Sequence, residues 1–138
     1  MPETLVVDCS VAAKWILPEP GRPSALNLLD SYQGGRVHLI APDLLLSEFA
    51  SLLAKRCRRK ELSDAQAMQA VDWMTEYAPK LYPVRRRAAL ELALHHQMSF
   101  WDCTYLATAI EFSCSLITAD RRLFRGLTPR HPAVRMLA

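Results

Sequence analysis

Short apolar runs alternate with segments of helical period along the whole chain, and this alternation leaves few folds open. Residues 4–8 (TLVVD), 37–42 (VHLIAP), 80–84 (KLYPV), 114–120 (CSLITAD) and 133–137 (AVRML) are short enough to read as strands. Helical segments lie between them. Ser10 is placed to N-cap a short helix through Leu17, which Pro18 and Pro20 end. Another helix spans 22–33, up to Gly34 and Gly35, and a long one starts at Asp43. Ser63 and Ser99 are placed as N-caps of two more, with a basic-rich helix from Arg85 between them. Strands separated by helices require crossover connections, so the expected architecture is α/β, with a parallel central sheet covered by helices on both faces. Ligands of such sheets bind outside the carboxyl ends of the strands, where Asp8 and Asp120 fall.

At 138 residues and 51% apolar content, the chain suits one domain, residues 1–138, with a core of its own. No apolar run approaches the roughly 20 residues of a membrane span. The N-terminus carries no basic stretch before its apolar run, so a cytoplasmic location is expected. Cys9, Cys57, Cys103 and Cys114 stand far apart and read as free thiols in a reducing compartment. His95 and His96 are adjacent, which does not suit a helical zinc pair, and are expected near a helix end.

Two helices carry an acid where an apolar side chain is expected. Glu48 projects between Leu44 and Leu52, inside the apolar stripe of its helix, with Ser47 and Ser51 on the other side. Asp102 projects between Leu106 and Ala109, away from an arc of Thr104, Thr108 and Glu111. Each acid has an ordinary structural reading: an Asx turn for Asp8, a buried ion pair for Glu48, a capping box for Asp102, a helix cap for Asp120. Together, four carboxylates at one sheet edge would repel and raise one another's pKa. A divalent cation removes that conflict. An oxygen-only donor set without His or Cys selects Mg2+ or Mn2+, and such a cage is what two-metal phosphodiester cleavage uses.

The charge pattern agrees with a polyanionic substrate. Seventeen Lys and Arg face fourteen Asp and Glu, and with four acids set aside in one site the rest of the surface has an excess of seven cations. The basic clusters are Lys55 to Lys60, Arg85 to Arg87, and Arg121, Arg122 and Arg125. Arg121 and Arg122 adjoin an acid of the site, and Lys14 is placed to reach a scissile phosphate from the first helix.

The stretches LVVDCSVAAKWILPEP, APDLLLSEFASLL, MSFWDCTYLATA and LITADRRLF, in this order, resemble the PIN-domain ribonucleases, and most closely the VapC-type toxins of toxin–antitoxin modules. The resemblance spans nearly the whole chain. It implies a three-layer α/β/α domain with about five parallel strands, and Mg2+- or Mn2+-dependent cleavage of RNA. It matches Asp8, Glu48, Asp102 and Asp120 to the family's four acids, as metal ligands and catalytic groups, and Ser10 and Thr118 to its flanking hydroxyl positions. On this reading Asp8, Asp102 and Asp120 hold a first ion, and Glu48 shares it or holds a second. The resemblance further implies a small antitoxin docked over the site, with WILP (residues 15–18) and the faces of 22–33 and 63–77 as its groove, and a homodimer. Two rivals stay open: a non-catalytic RNA- or protein-binding module on this fold, and a phosphohydrolase with Asp8 as nucleophile. Ser10 stands where the latter usually has a second Asp.

Overall fold

The computed structural model describes residues 2–138. Strands β1 (Glu3–Val7), β2 (Val37–Pro42), β3 (Lys80–Tyr82), β4 (Ser115–Thr118) and β5 (Val134–Met136) form one sheet in the order β3-β2-β1-β4-β5, every pair parallel. Seven α-helices connect them: α1 (Cys9–Ala12), α2 (Arg22–Gln33), α3 (Leu44–Arg58), α4 (Asp64–Tyr77), α5 (Arg86–His96), α6 (Phe100–Glu111) and α7 (Arg121–Leu127). Among the described residues no helix is long and apolar enough to cross a membrane.

The burial of β1 shows why the sheet has helices on both sides. Leu5, Val6 and Val7 point alternately to opposite faces, and all three are buried. On α3, Leu45, Phe49 and Leu53 form the stripe that packs inward. Helix α6 lies against β1, β2 and β4 and carries α5 on its outer side. The α5–α6 seam is built from Ala89, Ala93, Cys103 and Ala107, small side chains that let the two backbones approach closely.

The strand order locates the site. The chain winds from β1 outward through β2 and β3, then returns to the other side of β1 with β4 and β5. The order therefore reverses between β1 and β4, and the connections leaving these two strands diverge to opposite sides. The crevice so opened lies at their carboxyl ends. Val7 pairs with Ile117, which sets Asp8 beside Thr118 and two residues short of Asp120.

Three local expectations are corrected. The N-cap of the first helix is Asp8, whose carboxylate accepts from Val11 N; Ser10 lies inside the helix and turns its hydroxyl to the neighbouring strand end. That helix also gives way early to a 3-10 turn, Ala13–Trp15. The threonine arc of α6 is not a solvent face either. Thr104 and Thr108 are fully buried, their hydroxyls donating to the carbonyls of Trp101 and Thr104. Back-bonding to the preceding turn satisfies a hydroxyl without water and lets threonine pack as a core residue. Ser63 and Ser99 cap their helices as expected, Ser63 in a reciprocal box with Gln66.

Candidate active site

Asp8 stands at the centre of the crevice. It is 4% exposed, and both carboxylate oxygens are engaged. Oδ1 accepts from the Ser10 hydroxyl at 2.5 Å and from Val11 N at 3.2 Å, and Oδ2 accepts from the Thr118 hydroxyl. The direction of these bonds is fixed from behind. Ala119 N donates to Ser10 Oγ at 2.9 Å, and Asp120 N donates to Thr118 Oγ1 at 3.0 Å. Each hydroxyl already receives a backbone proton, so its own proton turns to Asp8. The resulting network orients Asp8 as an acceptor and ties the end of β1 to the end of β4.

Burial works against this charge. Desolvation pushes the Asp8 carboxyl up to about 6, against the opposing pull of the Ser10, Thr118 and Val11 bonds and with a small push from Asp120. The apolar sheet edge thus holds a carboxylate with no cation paired to it among the described residues.

Glu48 approaches from α3. It flanks the buried line of Leu45, Phe49 and Leu53 and does not lie in it, sharing its half-buried position with Leu44 and Leu52. Its pKa is raised, mainly by burial and further by Asp8 and Asp102, while a hydrogen bond from the Tyr105 hydroxyl opposes the rise. Tyr105 was not singled out from the sequence. Its position one turn after Asp102, on the same face of α6, was the available signal. Burial and the Glu48 charge raise the Tyr105 phenol above its ordinary value, so it stays protonated and remains a donor. Replacing Tyr105 by phenylalanine is therefore expected to lower activity about tenfold, the worth of one hydrogen bond to a charged group. It should also shift the acid limb of the rate profile to higher pH, because the lost bond was holding the Glu48 pKa down. A pH–rate profile of Tyr105→Phe checks both.

Asp102 and Asp120 close the other side. Ser99 caps α6 through Asp102 N, but the Asp102 carboxylate leaves the helix end and meets Arg122 Nη2 at 2.9 Å. The capping-box reading of Asp102 is thereby set aside. Asp120 divides its two oxygens: Oδ1 caps α7 by accepting from Arg122 N and Leu123 N, and Oδ2 faces Arg122 Nη2 at 3.7 Å. The structural reading of Asp120 as a cap is correct, and it leaves one oxygen turned to the crevice.

An open cavity of about 360 Å³ adjoins the acids, lined by Cys9, Ser10, Lys14, Glu19, Glu48 and Ala119. Lys14 lies on this lining and pairs with Glu19 at 3.4 Å. Arg56 is drawn from the Lys55–Lys60 cluster to Glu19 and Glu61. The rest of that cluster follows α3 away from Glu48, roughly 15 Å along the axis by Arg58. Arg85 and Arg87 are paired with Glu111 and Glu91.

The donor set fits a hard divalent cation: four carboxylates and two hydroxyls, with no imidazole or free thiolate among them. Burial and Glu48 raise the Cys9 thiol far above its ordinary value, so it lines the cavity as an uncharged group. Among the described residues, no three acids, histidines or cysteines already stand close enough to hold an ion. The four acids converge on one crevice, and a guanidinium lies across two of them.

Three comparisons bear on this arrangement. The PIN domain family model matches residues 5–127. The chain is 31% identical to Ribonuclease VapC3 of Pyrobaculum aerophilum over 86% of this chain and 91% of the relative. It is also 31% identical to Ribonuclease VapC9 of Mycobacterium tuberculosis, over 86% and 87%. Among solved structures, PAE2754 from Pyrobaculum aerophilum superposes with a TM-score of 0.73 at 18% identity, covering 99% of this chain and 92% of that one. VapBC-1 from nontypeable Haemophilus influenzae gives 0.62 at 13% identity, with 96% of each chain covered. At such identities these structures speak for the fold.

Proposed function

Because the chain belongs to the PIN-domain family of VapC-type ribonucleases, we propose that it is an endoribonuclease, the toxin of a toxin–antitoxin module, and that it hydrolyses RNA phosphodiester bonds. The reading rests on one observation above all: acids from four separate segments face one another across the switch point of a parallel sheet, Asp8 acting on Glu48 and Asp120, Asp102 acting on Glu48, and Asp8 buried with no cation paired to it among the described residues. Residues 1–138 act as a single PIN-like nuclease domain.

PIN ribonucleases depend on divalent metal, and the oxygen donors here suit Mg2+ or Mn2+. Asp8, Asp102 and Asp120 would hold a first ion, with Glu48 sharing it or holding a second. Bound there, the metal supplies the charge that acidifies a water and stabilises the leaving oxygen. The protein's own groups prepare the site for it. Ser10 and Thr118 keep Asp8 ionised and aimed, and Tyr105 does the same for Glu48. Lys14, on the cavity lining beside Glu48, and Arg121, at the start of α7, flank the crevice as contacts for RNA phosphates, which supply affinity without sequence information.

The antitoxin groove is the open cleft of about 770 Å³ where Ile16, Pro18, Leu26 and Trp73 present apolar surface, with Arg56 and Glu61 at its rim and the core side chains Trp15, Leu17 and Leu29 beneath. Its lining runs from the turn at residues 15–18 to α2 and α4, with Ile16 and Pro18 as the accessible members of that turn. The exposed Leu90 and Leu94 on α5 and Ile110 on α6 offer an apolar face for a homodimer. Four free thiols suit a reducing cytoplasm.

Incubating the purified protein with total RNA, with and without EDTA, tests the proposal. The expected result is cleavage that EDTA stops and Mg2+ or Mn2+ restores, with product 5′ ends that map to defined positions. RNA binding without cleavage in either ion would instead favour a non-catalytic module.

A further inference from the structure

Arg122 is the charged group most intimate with the acids, and it belongs to this chain. Its guanidinium spans two carboxylates from different elements: Asp102 Oδ2 of α6 at 2.9 Å and Asp120 Oδ2 at 3.7 Å. It thereby places positive charge where two acids of the crevice face each other. Its backbone N–H is meanwhile fixed to Asp120 Oδ1, so the residue is anchored at the first turn of α7 while its side chain remains 67% exposed and able to swing. A cation that takes these oxygens is brought up against the positive guanidinium, and the two like charges repel. We propose that Arg122 is an internal counter-ion that competes with the divalent cation, and that metal uptake releases its guanidinium to bind an RNA phosphate beside the site.

The proposal rests on the nuclease reading and adds a coupling to it. Without metal, the single positive charge of Arg122 offsets part of the charge on Asp102 and Asp120 and limits their repulsion. When a cation takes these oxygens, the guanidinium loses its partners next to a site that recruits a phosphodiester. Arg122 meets both carboxylates through Nη2 alone, and a guanidinium donates to carboxylate and phosphate oxygens alike, so the side chain can exchange one kind of partner for the other. Metal and RNA then bind with positive cooperativity, since each favours the released position of Arg122.

Two measurements on purified full-length protein decide it. The first is Mn2+ affinity without RNA, by titration calorimetry, for the wild type, Arg122→Gln and Arg122→Lys. The second is the affinity of a short fluorescein-labelled single-stranded RNA, by anisotropy, in Ca2+. Arg122→Gln is expected to bind Mn2+ several-fold tighter than wild type and RNA several-fold weaker. Arg122→Lys, whose ammonium is a point charge, should fall between them. Mn2+ affinity in Arg122→Gln equal to or weaker than wild type overturns the proposal and leaves the nuclease reading intact. Tighter Mn2+ with unchanged RNA affinity overturns the transfer to phosphate. If none of the three proteins takes up Mn2+, the nuclease reading falls and the proposal falls with it. Because Arg122 is exposed, unfolding temperatures should agree among the three, which separates these outcomes from misfolding.

Discussion

Replacing Asp8 by asparagine is expected to stop RNA cleavage and, at the same time, to make the metal-free protein more stable. The two effects have one cause. Asp8 is buried among Val6, Val7 and Val11, and its carboxyl is pushed up to about 6 from an ordinary 3.8. At neutral pH the folded protein therefore carries a buried negative charge whose cost is on the order of 3 kcal/mol. The folded pKa is the higher one, so protonation favours the folded state. That stability is fully present below pH 4, declines as pH rises through about 6, and is absent at pH 8. Asparagine keeps the Oδ1 acceptor for Ser10 and Val11 and removes the charge. Metal-free Asp8→Asn should then melt roughly 5 °C or more above wild type at pH 8, with the gap closing towards pH 4. Its cleavage rate should fall by about three orders of magnitude, since the amide gives up the charge that would hold the ion. Thermal unfolding across pH, paired with a cleavage assay, checks both. A variant that cleaves normally, or that is less stable at pH 8, would contradict the role given to Asp8.

Asp120 should separate its two duties under substitution. Asparagine caps a helix as well as aspartate does, so Asp120→Asn should unfold close to wild type, because Oδ1 still accepts from Arg122 N and Leu123 N. Alanine loses the cap as well, at a further cost of about 1 kcal/mol. Both variants should lose cleavage by a similar factor, on the order of a hundredfold, because both remove the charge at Oδ2. Denaturant unfolding and single-turnover cleavage on the two variants give four numbers, and the account predicts that stability differs between them while activity does not. If alanine and asparagine fell together in stability, the cap would not be the structural duty of this residue. If asparagine retained activity, the crevice-facing oxygen would not matter to the chemistry.

Both predictions turn on acids that serve the fold and the site at once, which is also where the sequence was most and least informative. The alternation of short apolar runs with helices gave the architecture, since parallel strands need crossovers and a two-sided cover. It also placed Asp8 and Asp120 at strand ends. Glu48 stood out because an acid on the apolar side of a helix has few innocent explanations. What stayed hidden depends on contacts between distant segments. Ser10 reads locally as an N-cap, yet its hydroxyl is claimed by Ala119 N, 109 residues away in sequence. Thr104 and Thr108 read as a polar arc, yet they are buried because each hydroxyl satisfies itself on its own helix. The Tyr105–Glu48 bond and the grip of Arg122 on Asp102 need α3, α6 and α7 to be packed first. Of the basic clusters, only the arginines that begin α7 lie beside the acids. Arg56 and Arg85 are taken up by Glu19 and Glu111, distant pairings that no local pattern reveals, whereas Arg87 pairs with Glu91 one helical turn on.

The central claim is that Asp8, Glu48, Asp102 and Asp120 form one metal-binding centre. Anomalous X-ray scattering from crystals of the protein grown with Mn2+ tests it most directly. The account predicts a manganese peak in the crevice between β1 and β4, with carboxylate oxygens of Asp8, Asp102 and Asp120 within coordinating distance and Glu48 on the same ion or on a second one beside it. A fully occupied ion held elsewhere on the protein, with these four carboxylates unligated, would contradict it.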